Sequence, residues 1–383
     1  MVMHDLNHKA WIAGLAATLA VGAGIWFGSR GLKHFDPALA RYAIGSALAA
    51  FAVGYRLVLW AQRPPSRMYF RRGLQLLIRR GFKLQVSGFS HDTTVISRFS
   101  VSAFQRFNVS TASSPALTIG HSLASDFTAQ NFIRRRSRYR WIMHLCLSGG
   151  CTLAFAVAFP LVFGWVQFEP SGDNAETYRM NLFGFGMDSF NVHSVKALVL
   201  FNALNISAAL VLIGLLLAAM RRVTNAGERA VQMFFEDILP LILIFAVTAT
   251  GLMLTVSYKF MAGRGHSPMA VAHLISVIAL LFYIPFGKLF HMFQRTCALC
   301  VALYKRAGEV GPRAHCLRCG EDFASEMHVS DLKLVLDQLG FDYRFARPQG
   351  EIHYQDICPI CRRRLLALNQ GRAVGRWLVN RKS

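Results

Sequence analysis

The sequence predicts an all-α membrane protein of about six transmembrane helices, four of them forming a core, with a small α+β cytoplasmic domain built on four cysteines. Three observations predict it. Hydrophobic residues make up 54% of the 383-residue chain and charged residues only 16%, against about 25% charged in soluble domains. The mean hydropathy is +0.35, and six stretches are apolar over the roughly 20 residues that a membrane helix needs. Six of the eight cysteines fall in three C-x-x-C pairs, a spacing that suggests metal binding in a reducing compartment rather than a disulfide framework. The net charge of +22 reads as topogenic, because the basic residues crowd beside apolar spans; no nucleic-acid partner is expected.

In chain order, the predicted spans are 11–28, 38–61, 141–167, 193–220, 238–258 and 269–292. The first lacks a strongly basic leader and a small-residue cleavage site, so it reads as a retained helix rather than a signal peptide. Residues 1–62 therefore form two N-terminal transmembrane helices. Residues 63–140 carry fourteen Lys/Arg, including Arg71, Arg72 and the run Arg134–Arg136, against Asp92 and Asp126. Residues 169–192 carry Glu169, Asp173, Glu176 and Asp188 against Arg179. The basic side is cytoplasmic, which sends the third span outward, the sixth inward and the C-terminus into the cytoplasm of a prokaryotic inner membrane. Arg30 and Lys33, in the loop after the first span, run against this rule. Segment 63–137 mixes basic and apolar residues (LQLLIRR, TTVISRFSVSAF) and could lie on the bilayer surface or dock a cytoplasmic partner.

From about residue 303 the chain becomes polar, and 303–383 reads as a small soluble domain. Ser330 before DLKLVLDQLG is the expected helix N-cap and Gly340 its end. FDYRFA and EIHYQDI around RPQG read as a hairpin. Cys316, Cys319, Cys358 and Cys361 supply four thiolates for one tetrahedral ion, with the helix and hairpin between the two pairs as in zinc ribbons. Zinc is the default; rubredoxin-type iron is the alternative, since C-x-x-C-G and C-P-x-C resemble rubredoxin knuckles, with Arg362 standing where the second glycine would be. Cys297 and Cys300, after the last span, would share one face of a continuing helix and are expected to be packing residues, as are Cys146 and Cys151.

Ionisable groups inside a span are costly and are functional candidates. His273 and His291 lie 18 residues apart, about five turns and about 27 Å on a continuous helix, so both would share one face near opposite membrane surfaces. Two stacked haems need that arrangement, with axial imidazoles from facing helices at matching depth. Topology supplies His144 opposite His291 and His193 opposite His273, with His266 a competitor at the second depth.

The stretch HLISVIALLFYIPFGKLFH, 273–291, resembles the last helix of the cytochrome b (gamma) subunit of respiratory nitrate reductase. That family ends this helix Pro-Phe-x-Lys/Arg-x-x-His, here Pro285, Phe286, Lys288 and His291. The similarity covers 138–293 and is strongest in the last helix. It implies a four-helix haem-binding core, with His144, His273 and His291 as haem b ligands. Where the family carries a second histidine on the third span, this chain has Ala154, so one or two haems are expected, the second resting on His193. The family also places a quinol beside a lysine, here Lys196. The implied function is electron transfer between the membrane quinone pool and cytoplasmic iron-sulfur and molybdopterin subunits, that is, the quinol-oxidising subunit of an oxidoreductase complex. The alternative is a transporter, or a membrane scaffold with a zinc-ribbon docking domain and no haem.

Overall fold

The computed structural model describes residues 2–86, 120–121, 123–171, 176–347 and 350–380; the TTVISRFSVSAF stretch lies outside them. The chain divides into two compact units, Met1–Trp60 with Ala124–Arg295, and Ala61–Leu123 with Thr296–Ser383. The basic segment 63–137 is thus shared between them.

The first unit is the membrane unit. Six helices in it are long and apolar enough to cross a bilayer. They are α1 (Val2–Gly28), α2 (Ala40–Gln62), α5 (Arg138–Val162), α6 (Val195–Thr224), α8 (Leu239–Phe260) and α9 (His266–Phe286). Short elements join them: α4 (Asn131–Arg134), α7 (Ala226–Val231) and the start of α10 (His291–Thr296). Starts are set by side-chain caps. Ser137 accepts from the Arg140 N–H, Ser194 from Ala197, and Asp36 from Ala38 just before α2, each satisfying a donor that the first turn leaves unpaired.

Lipid tails are as apolar as leucine, so spans associate through close packing and interhelical hydrogen bonds rather than through exclusion of water. A Cβ at Gly214 on α6 would stand 2.8 Å from the Leu147 backbone nitrogen of α5; only glycine lets the two backbones come so near. The contact is pinned further by the buried Ser207 hydroxyl, which donates to the Gly150 carbonyl at 2.8 Å. One cluster packs Val211 and Leu215 on Ile244. A second packs Ala49 of α2 on Leu281 and Ile284 of α9.

Three departures from the sequence reading have physical causes. The third span ends at Val162, and the loop after it is a three-stranded antiparallel sheet, β1 (Val166–Pro170), β2 (Thr177–Leu182) and β3 (Phe185–Asn191). The β2–β3 turn is Phe183–Gly184, both at positive φ (50° and 73°), the primed geometry that suits strand twist. Arg30, the residue against the charge rule, donates to the Phe183 carbonyl and stacks over the Phe185 ring at 4.2 Å; this sheet occupies its guanidinium.

The last span is also not continuous to His291. α9 stops at Phe286. Pro285 lacks an N–H, and Gly287 is extended. The Pro285 carbonyl, which Leu289 would reach in an unbroken helix, instead accepts from Arg56 of α2, whose guanidinium also covers the buried Phe290 ring at 4.5 Å. A 3₁₀ turn, Lys288–Phe290, follows, and His291 opens α10. The shared-face argument for His273 and His291 therefore does not hold, because the helix carrying it is broken between them.

The second unit contains α3 (Ser66–Val86), α11 (Ala298–Val310), the hairpin β4 (Arg313–His315) with β5 (Asp322–Ser325), α12 (Glu326–Gln338), the hairpin β6 (Arg344–Arg347) with β7 (Gly350–His353), and α13 (Pro359–Asn380). The N-cap of α12 is Ser325, not Ser330, with its hydroxyl on the His328 N–H. Ser330 lies inside the helix. Its neighbour Asp331 is 3% exposed and receives both a two-nitrogen guanidinium contact from Arg72 of α3, 2.8 Å at the closest, and the Tyr304 hydroxyl at 3.1 Å. Burial and the Asp331 charge together push the Tyr304 phenol above its ordinary range. Cys300 packs against Gly73, which makes it a close-packing residue between α11 and α3.

Candidate functional site

Two sites stand out, one in each unit. In the second unit the sulfur atoms of Cys316, Cys319, Cys358 and Cys361 lie within 4.8 Å of one another. The Cys319 and Cys358 sulfurs are 3.8 Å apart. A tetrahedral ion with metal–sulfur bonds of about 2.3 Å places its ligands about 3.8 Å apart, so the four thiolates can hold a metal ion.

The cage is built from local turns. After Cys316 the chain reverses, with the Gly320 N–H on the Cys316 carbonyl at 2.8 Å and Gly320 at φ 75°, where a side chain would be strained. The N–H of Arg318 and that of Cys358 point at the Cys316 sulfur, at 3.4 and 3.2 Å. Burial acts to raise the Cys316 thiol, but the amides of Cys358, Cys319 and Arg318 outweigh it and lower it to about 6. The second pair works differently. Cys358 precedes α13 and Cys361 lies in its first turn, with the Cys361 N–H on the Cys358 sulfur at 3.4 Å. Because the chain enters a helix there, Arg362 needs no positive φ. It replaces the expected glycine at no conformational cost and stacks on Tyr354 at 5.1 Å.

In the membrane unit, the Nδ1 of His144 lies 2.7 Å from the Gln130 Oε1. Gln130 is 5% exposed, and its Nε2 donates to the Ser148 hydroxyl at 2.8 Å. In this amide orientation the Gln130 oxygen faces His144 and accepts its Nδ1 proton in the tautomer that leaves the Nε2 lone pair for another partner. His291 reaches the same state by a shorter route: its Nδ1 lies 2.7 Å from the Lys288 carbonyl, an acceptor only. Burial pushes the His291 imidazole below its ordinary range, with the Arg295 and Lys288 charges adding to it and the Lys288 carbonyl opposing, so it is neutral at pH 7. The Arg295 charge acts on the His291 imidazole. Arg295 in turn feels Asp126 and covers the Phe132 ring at 4.5 Å.

His273 has its Nδ1 3.0 Å from the Thr250 hydroxyl and its ring 6.4 Å from that of Tyr42. His193 is exposed in the turn before α6, its backbone N–H on Asn191. No hydrogen bond, ion pair or ring contact joins it to His273 among the described residues. His266, the first residue of α9, is exposed as well. Lys196 is ion-paired with Asp188 and sits over the Phe190 ring at 5.2 Å. Sequence reasoning missed Gln130, Ser148 and Arg295. It also missed a polar network between spans, in which Asn202 accepts from Asn205 and Lys259, and Asn205 accepts from Thr255, all at 3.0–3.1 Å.

No protein-family model, curated protein or solved structure matches this chain.

Proposed function

We propose that this chain is a membrane cytochrome b subunit that carries electrons between quinol and a cytoplasmic iron-sulfur and molybdopterin oxidoreductase, in the manner of the nitrate reductase gamma subunit. The observation that carries the reading is the matched state of His144 and His291. Each imidazole has its Nδ1 2.7 Å from a protein oxygen, so that a proton held there leaves Nε2 to ligate, the way ligating histidines are oriented by an outer shell of hydrogen bonds. Haem b held by His144 and His291 would supply one-electron exchange. In this assignment Gln130 and the Lys288 carbonyl set the ligand tautomers, and Arg295 places a positive charge beside the pair.

His273 would serve a second haem only with a partner imidazole, for which His193 is the candidate from topology. Lys196 remains the candidate quinol contact, and the Asp188 pairing would have to yield to it. The four thiolates hold zinc on this reading, with rubredoxin-type iron the alternative, and the unit they staple docks soluble partner subunits on the cytoplasmic side.

A second reading rests on the Asn202–Asn205–Thr255–Lys259 network. Polar groups joined across spans also mark permeation paths, and a transporter or scaffold with no haem would use them. Visible spectra of the detergent-purified protein, oxidised and dithionite-reduced, decide between the two. A reduced b-type α-band with about one or two haems per chain by pyridine haemochrome supports the cytochrome. A colourless folded preparation from haem-replete cells overturns it and favours the second reading.

A further inference from the structure

Helix α3 has two faces that differ completely. At 100° per residue, Tyr69, Arg72, Gly73 and Leu76 fall on one side, where Tyr69 meets the Tyr304 ring edge-on at 5.1 Å, Arg72 pairs with Asp331 and Gly73 lies against Cys300. Arg67, Phe70, Arg71, Leu74 and Ile78 fall on the other. Phe70, Leu74 and Ile78 are 38%, 48% and 61% exposed, and Arg67 and Arg71 are exposed beside them. Nothing in the second unit covers this face among the described residues.

From this geometry we infer that the outer face of α3 binds anionic phospholipid headgroups of the membrane the chain spans. Three observations select that occupant. Only Arg63, Pro64 and Pro65 separate α3 from the end of the α2 span at Gln62, so the chain itself tethers the start of the helix within about 14 Å of that span's end. No acidic residue occurs between Asp36 and Asp92, so the face offers anions only cations. The apolar side chains form a narrow stripe with Arg67 and Arg71 on the same face, and an interfacial helix sinks such side chains about 5–10 Å into the headgroup boundary while the guanidiniums reach up to phosphate. The packed face is already filled, so lipid binding leaves the second unit intact.

The test uses the full chain in lipid nanodiscs, with Leu74→p-benzoylphenylalanine as a photoprobe and Leu76→p-benzoylphenylalanine as the control on the packed face. The expected result is a lipid adduct at position 74, seen by mass, whose yield rises when phosphatidylglycerol is added to phosphatidylcholine, with no lipid adduct at 76. Arg67→Gln and Arg71→Gln should each lower the anionic-lipid yield roughly fivefold. High salt should lower it without any substitution, so a variant that fails to fold does not leave the point open. No lipid adduct at 74, or equal yields in neutral and anionic discs, overturns the inference. So does a protein adduct replacing the lipid one in native membranes, which would assign the face to a partner protein.

Discussion

The thiolate cage and the proposed histidine ligands are assembled in opposite ways. Each half of the cage is a turn of four residues with an amide of that turn pointing at sulfur, and one amide of the second turn, that of Cys358, reaches the Cys316 sulfur of the first. The histidine pair takes one ligand from α5 and one from α10, and each is aimed by a group from elsewhere, Gln130 or the carbonyl exposed where α9 breaks. The first site is specified by local spacing and the second by tertiary packing. The two should therefore fail independently.

The largest expected effect is on the cage. Removing metal with a chelator, or making Cys358→Ser, should abolish metal binding and melt the β4–β5 and β6–β7 region. Structural zinc is worth on the order of 10–16 kcal/mol of apparent folding energy. Metal analysis and hydrogen exchange would show this, and the haem spectrum should survive. His291→Ala should give the converse, with the α-band from the His144–His291 site lost and the metal kept. Loss of both signals in either variant would mean that the two units share one folding transition.

A smaller effect separates the halves of the buried ion pair. Arg72→Met leaves the Asp331 carboxylate, 3% exposed, with only Tyr304, and should destabilise the second unit by about 3 kcal/mol. Asp331→Leu should cost less, about 1–2 kcal/mol, because Arg72 is 30% exposed on its side chain and can turn to water. Denaturation of the two variants side by side would check the asymmetry. The smallest effect belongs to Gln130→Leu. It removes the acceptor of His144 and costs about 1–2 kcal/mol, and it should shift the haem potential and loosen haem retention without touching the metal. An unchanged potential would remove Gln130 from its positioning role.

What was legible in the sequence follows the same division. Spans and C-x-x-C pairs are patterns within a few turns, and all six spans and the four-cysteine cluster are present. The sheet at 166–191 was missed because an apolar run beginning in a helix hides where it ends, although Phe-Gly between TYRMNL and FGMDSFN carried a hairpin signal. The break before His291 was written in Pro285 and Gly287, but the family-like ending read as continuous helix. Ser330 reads as a cap because the apolar run DLKLVL follows it, whereas the helix opens at Ser325. Gln130 gave no signal at all: it is a left-handed, buried glutamine whose value depends on a histidine that folding brings to it.

The second unit is built from α3 and from chain that begins at Thr296, with four membrane spans lying between them in sequence. At about 5–20 residues per second, α3 leaves the ribosome roughly 10–45 s before Tyr304 and Asp331 exist to meet it. For that interval Arg72 has no carboxylate and the packed face of α3 no cover. The arrangement makes the order of synthesis part of the folding problem, and it gives a surface-bound helix beside the translocon a reason to persist until the last quarter of the chain arrives.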